Sequence, residues 1–305
     1  MLSFLVLGDW GQRGTDAQRA VAAGMARAAQ RYDTDFVIST GDNFHPRGVG
    51  GLRDPHWVES FEQVYDDPAL YCPWYISLGD HDHKGDVDAQ CQYSQYDVRW
   101  HLPDRFYGIN KQVCTNSHAQ IVFLDTTPFS ETSELADASG TAYDTALQAS
   151  WLRHMLAPSR SEWRIVVGHH PIQSGSVAHG GTPGLRDEIG PLLRQFGVHA
   201  YLCGHENNLQ HLSEDGVEYV VSGAGADAHP TDRNALTQFS RGVLGFAVVT
   251  LSADRMVLRF CEADGTVCYK AERMRTPPDE GASSALPSDG ARGTVPDADA
   301  VRPSS

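Results

Sequence analysis

The 305-residue chain contains no apolar run approaching the ~18 residues that a membrane-spanning helix needs, so a helical span is excluded. Lysine is nearly missing, with only Lys84, Lys111 and Lys270. Lys and Arg together number 24 against 39 Asp and Glu, a formal net charge of −15. With no long basic run and no interleaving of basic and aromatic residues, the surface repels a phosphate backbone, and no nucleic-acid partner is expected. A Gly-x-Ser-x-Gly elbow is absent too, which removes the usual Ser-His-Asp hydrolase. Internal repeats are lacking. The first residues, Met1-Leu2-Ser3-Phe4-Leu5-Val6-Leu7, have neither the basic start nor the cleavage site of a secretory leader and read as a buried strand.

What is present suits a globular chain of one or two domains, with 41% hydrophobic residues. Apolar runs recur at Phe4–Leu7, 35–40, 73–78, 120–124, 164–167 and 199–203, separated by helical stretches at 15–32, 55–65, 143–156 and 185–196. Alternating strands and helices predict an α/β fold with a largely parallel sheet. After residue 216 the strands 217–222, 243–251, 255–260 and 267–272 follow without helices, which predicts a second, mixed or antiparallel sheet packed on the first. From residue 277 to 305 the chain is Pro, Ser, Ala, Gly and Asp, too poor in large apolar side chains to offset its conformational entropy, and is expected to be disordered. The domain therefore spans 1–276. The tail's five acids and two arginines leave about −12 of the charge on the rest.

Six cysteines allow several pairings. Asp264-Gly265 predicts a two-residue type I′ hairpin that sets Cys261 opposite Cys268, as a disulfide or as two free thiols. Cys203 reads as a packing residue, and Cys91 with Cys114 is a second conceivable pair.

The chemistry concentrates in five loops that each follow an apolar run: Gly8-Asp9-Trp10-Gly11, Gly41-Asp42-Asn43-Phe44-His45, Gly79-Asp80-His81-Asp82-His83, Val166-Val167-Gly168-His169 and Gly204-His205-Glu206-Asn207. Carboxyl ends of strands in an α/β sheet line one crevice, so these loops can converge. Carboxylates and imidazoles suit divalent first-row metals, and one carboxylate can bridge two ions about 3.5 to 4 Å apart.

With those loops, and with Ala200-Tyr201-Leu202-Cys203-Gly204-His205, Asn208-Leu209-Gln210 and Ser222-Gly223-Ala224-Gly225, the sequence resembles the metallophosphoesterase superfamily. Within it the likeness is to purple acid phosphatases of the small, tartrate-resistant type, and it runs from Phe4 to Arg275. The resemblance implies a two-sheet β-sandwich flanked by helices and a binuclear centre hydrolysing phosphate monoesters. Carried over residue by residue, it implies one metal on Asp9, Asp42, His45 and Asn207 and the other on Asp42, Asp80, His169 and His205. Three positions depart: His45 stands where Tyr is expected, Asp80 where Asn is, and Asn207 where His is. Three acidic ligands remain in either set, so total charge is kept, and the centre is expected to work with Fe, Mn or Zn as divalent ions. Lacking the tyrosinate, it is expected to be colourless and to work nearer neutral pH than the family name suggests.

By the same resemblance His81 and His179 are expected as catalytic and substrate contacts, and Asn43 is expected to orient substrate or the bridging carboxylate. His83 and His170 are read as packing or hydrogen-bonding around the motifs. The partner is a small phosphorylated substrate, with no membrane and with a monomer or small homo-oligomer expected. The family's habit of export suggests a secreted or periplasmic setting. A phosphodiesterase of the same fold, or a scaffold that has lost its chemistry, are the alternatives.

Overall fold

The computed structural model describes residues 1–130, 143–176 and 180–275. The tail expected over 277–305 and the candidate His179 lie outside the described residues. Four strands, β1 (Leu2–Leu7), β2 (Phe36–Ser39), β3 (Trp74–Ile76) and β4 (Trp100–His101), run parallel. The next seven form a second sheet: β5 (Tyr107–Cys114), β6 (Ser117–Phe123), β7 (Trp163–Val167), β8 (Ala200–Cys203), β9 (Leu209–Glu214), β10 (Val217–Ser222) and β11 (Thr237–Arg241). The last three, β12 (Gly245–Leu251), β13 (Arg255–Glu262) and β14 (Val267–Met274), return to the first sheet. The strand orders are β14-β13-β12-β1-β2-β3-β4 and β11-β9-β10-β8-β7-β6-β5.

The two-sheet sandwich is as expected, but the division between its sheets is not. The helix-free strands after residue 216 do not make a sheet of their own. β10 lies parallel beside β8, whereas β12 pairs antiparallel with β1, Leu2 opposite Leu251. The first sheet therefore joins a parallel half to an antiparallel half, whereas the second holds the parallel strands β10, β8, β7 and β6 between antiparallel neighbours. Apolar runs mark burial on both faces and do not encode which strand lies alongside.

Helices cover the outer faces. Helix α1 (Asp16–Tyr32) begins where the Thr15 side chain accepts the Gln18 amide, and it turns Val21, Met25 and Ala28 inward. The expected helix over 55–65 is instead a π-helical turn, Trp57–Glu62, in which Gln63 N donates to Val58 O. Trp57, Phe61 and Tyr65 recur every four residues. A turn wider than the α-helix's 3.6 residues keeps all three in the buried aromatic cluster around Trp10. Short helices α2 (Val87–Gln92) and α3 (Thr127–Ser130) precede α4 (Thr145–Leu156). The stretch 185–196 divides into α5 (Pro183–Glu188) and α6 (Gly190–Gln195), because Gly190-Pro191 starts a new helix at Ile189. Phe4, Val6 and Ile38 meet Ile121 and Ile165 between the sheets, while Leu152, Leu185 and Leu193 pack on Val166 and Tyr201 of the second sheet.

The β13–β14 hairpin also differs. Gly265 has φ +83 but Asp264 does not enter the left-handed region, so the turn from Glu262 to Gly265 cannot be type I′. The resulting bulge sets Cys261 opposite Val267 rather than Cys268. Among the described residues all six cysteines are free thiols, Cys91 and Cys114 included.

His199, just before β8, gives the fold an acid limit. Its Nδ1 accepts the Arg164 amide at 3.2 Å and its ring lies against Trp163. Burial, with Arg273 and Arg164 close by, holds its pKa down at about 4 against an ordinary 6.5. The unfolded chain therefore takes up the proton first. Stability is full above pH 6.5 and is lost as pH falls toward 4, by about 2 kcal/mol after allowance for partial exposure. In chelator, urea unfolding of His199→Gln at pH 7.5 and 4.5 is expected to show a correspondingly smaller loss than wild type.

Candidate metal centre

Parallel strands of both sheets end on one crevice. Asp9 follows β1, Asp42 and His45 follow β2, Asp80 and His81 follow β3, His169 follows β7, and His205 and Asn207 follow β8. Ser222 Oγ donates to Val6 O at 2.8 Å, tying the sheets together beside these loops. Four of the candidate residues hold the left-handed backbone that side chains seldom adopt: Asp9 (φ 57), Asp42 (φ 52), His205 (φ 70) and Asn207 (φ 49). Such conformations persist only where surrounding contacts over-determine them, and they cluster at functional sites. The spacing is close enough to demand glycine. A Cβ on Gly41 would meet the His169 ring at 2.7 Å, and one on Gly79 would lie 2.2 Å from Asp42 Oδ1.

The side chains converge in three overlapping groups: Asp42 with His45 and His81, Asp9 with Asp42 and His169, and Asp80 with His169, His170 and His205. Asp42 joins the first two groups, as a bridging carboxylate would. His45 Nε2 lies 3.6 Å from Asp42 Oδ2, and His169 Nε2 lies 3.5 Å from Asp42 Oδ1 and 3.4 Å from Asp80 Oδ1. His205 Nδ1 is 3.4 Å from that same Asp80 oxygen, and its backbone amide donates to Asp9 Oδ2. The Asn207 amide nitrogen donates to Gly223 O at 3.3 Å, which leaves its oxygen as the atom a cation would meet.

Comparison with known proteins is consistent with this geometry: the profile described as calcineurin-like phosphoesterase matches residues 2–208. The chain belongs to that family. It is 38% identical over 297 residues to tartrate-resistant acid phosphatase type 5 of Homo sapiens, covering 90% of this chain and 91% of that one. Purple acid phosphatase 17 of Arabidopsis thaliana is 36% identical over 250 residues, covering 77% and 72%. Among solved structures, GAP50, described as the anchor in the inner membrane complex of Plasmodium, is similar with a TM-score of 0.82 and 27% identity, covering 91% of this chain and 90% of that one.

The family implies metal ions, and the donor chemistry fits them. His169 Nδ1 faces Thr40 O at 2.9 Å, and a carbonyl only accepts, so Nδ1 carries a proton and Nε2, turned on two carboxylates, is the atom a cation would meet. Acceptors gathered this way repel unless a cation lies among them. His45 Nε2 and Asp80 Oδ1 are buried and, among the described residues, have no hydrogen-bond partner. Without an ion, protons take its place. Burial opposes charge on His169, but Asp42, Asp80 and Asp9 overcome it and lift its pKa to about 10. Burial raises Asp9 well above the usual carboxylate range and lowers His45 to about 4. Asp80 is held far below that range, because contacts to His169, His205 and Lys84 outweigh its burial.

Of the two roles expected of Asn43, its placement speaks against the substrate contact. It is fully buried, its Oδ1 accepts from Ser39 Oγ at 2.6 Å, and its Nδ2 donates to Ser77 O and Asp82. With both ends of the amide held by protein, Asn43 braces the bridging loop instead of touching substrate. Asp82 is its counterpart, accepting the amides of Asn43 and Gly79 and the Gln90 side chain; burial and nearby Asp42 raise its carboxyl to about 6. Asp82 stands within Asp80-His81-Asp82-His83, but nothing in that run separates an inward brace from a ligand. His81 is 30% exposed at the crevice mouth, with Nδ1 on Pro46 O at 2.7 Å and Nε2 3.9 Å from Asp42. His83 pairs with Asp125 at 2.9 Å, both buried. His170, read as a packing neighbour, lies within the Asp80 group, its Nδ1 3.1 Å from Thr126 Oγ1.

Proposed function

We propose that this crevice hydrolyses phosphate monoesters with two divalent metal ions. Asp9, Asp42, His45 and Asn207 would hold one ion, and Asp42, Asp80, His169 and His205 the other. The observation that carries the reading is the convergence of His169 Nε2 on Asp42 Oδ1 at 3.5 Å and Asp80 Oδ1 at 3.4 Å. Ions bound there would supply a nucleophile from water near neutral pH and neutralise charge on the phosphoryl oxygens.

The protein's own part is orientation and proton transfer. Asp82 and Asn43 fix the spacing of the Asp42 and Asp80 loops. His81 holds Nδ1 on Pro46 O and turns Nε2 toward Asp42 and Asp80, where it would pass a proton to a departing alkoxide. His179 is the second proposed contact to phosphate or leaving group, on the resemblance alone. The preferred ions are Mn, Zn or ferrous iron, since His45 replaces the tyrosinate that would stabilise ferric iron.

Protein purified without chelator is expected to contain two ions per chain and show no visible charge-transfer band. It is expected to cleave p-nitrophenyl phosphate about a hundredfold faster than bis-p-nitrophenyl phosphate, a gap of about 2.7 kcal/mol in barrier, with its maximum near neutral pH. A coloured ferric centre with an acidic optimum, or a faster diester reaction, would overturn the reading.

A further inference from the structure

Lys84 ends the short 3-10 turn that follows the Asp80 loop, and its Nζ donates to Asp80 Oδ2 at 2.9 Å. The two Asp80 oxygens face different partners. Oδ1 lies 3.4 Å from both His169 Nε2 and His205 Nδ1, whereas Oδ2 meets Lys84, with His81 Nε2 at 3.8 Å. Asp80 is 14% exposed and Lys84 45%, so the carboxylate lies inside the crevice and the ammonium on its rim.

Asp80 stands where the resemblance calls for a neutral Asn, and an unpaired carboxylate there would add a full negative charge to one metal position. We propose that Lys84 is a positioning residue for the centre: it holds the outer oxygen of Asp80 and cancels its charge, so that the pair acts on the ion as one neutral oxygen donor. The added charge is then absorbed at the rim. Asp9, Asp42 and Asp80 with Lys84 leave the donor set two charges negative, and two divalent ions turn that into two positive. This balance matches a phosphate monoester dianion, whose second ionisation falls near pH 6, better than a diester monoanion. The inference rests on the two-metal reading and deepens it to a preference for dianionic substrates.

Mn2+ titration calorimetry and inorganic phosphate inhibition test it in the full chain. Lys84→Met is expected to bind the weaker of two Mn2+ ions about tenfold more tightly, equivalent to about 1.4 kcal/mol. Its affinity for inorganic phosphate, and for p-nitrophenyl phosphate through KM, is expected to fall by a similar factor. Lys84→Arg, which keeps the charge, is expected to stay near wild type. In an Asp80→Asn background no carboxylate holds the exposed ammonium beside the ion, so Lys84→Met is expected to change Mn2+ affinity far less. An equal shift in both backgrounds, or none in either, overturns the proposal while wild type still takes up two ions. Wild-type protein that takes up no Mn2+ overturns the two-metal reading itself.

Discussion

Asp42→Asn is expected to leave the protein without bound metal and to lower kcat/KM for p-nitrophenyl phosphate by about a thousandfold or more, a loss of at least about 4 kcal/mol in transition-state stabilisation. The size follows from its position: Asp42 belongs to the groups on both sides, with His45 and His81 through one oxygen and His169 through the other. An amide keeps the shape, and its oxygen can still accept the His81 backbone amide that Asp42 Oδ1 now accepts. What it removes is the charge that can bridge two cations. Elemental analysis should therefore show neither ion retained, while circular dichroism shows the same fold. A variant that lost only one ion would show that Asp42 serves one side alone.

Chelation is expected to have the second largest effect. Each ion present at a thousandfold over its dissociation constant contributes about 4 kcal/mol to stability, and two approach the whole stability of an ordinary domain. A fall in Tm of about 15 °C or more is expected. The loss should deepen as pH rises. In the metal-free chain His169 titrates near 10 against 6.5 unfolded, so its stabilising proton is held fully below pH 6.5 and surrendered on the way to 10. Asp9, raised by burial, works in the same direction, losing its contribution as pH climbs from 3.8 through its folded value. Asp80 has the opposite sign, but it titrates below 3.8, outside that window. Thermal melts in EDTA at pH 6 and 9 should therefore diverge, while the metal-loaded protein changes little.

Strands ending in Gly-Asp or Gly-His were legible because both of their faces are buried: β1, β2 and β8 are apolar or small at every position, and their loops carry the donors. β9 and β11 were not, because Gln210, His211, Gln238 and Arg241 interrupt any apolar run. Gln210 and His211 are nonetheless buried, satisfied by Asn208 and Ser174 and by Tyr269 and Glu218, partners that no local pattern announces. The same limit applies at the crevice. Residue type and spacing marked Asp9, Asp42 and His169, whereas the roles of Asn43, Asp82 and Lys84 depend on which atoms face inward, and that is set by packing across loops far apart in sequence.

The pairing of Leu2 with Leu251 has a consequence for biogenesis. β1 is made first, yet one of its two edges stays open until β12 has been synthesised. Throughout that interval the nascent chain exposes an apolar strand edge, a template for association with other chains. Asp9, at the end of that strand, and the backbone amide of His205, which donates to it, are likewise brought together only late. A chain truncated before β12 would carry all of its candidate ligands, yet it would lack the strand that closes the sheet beside Asp9.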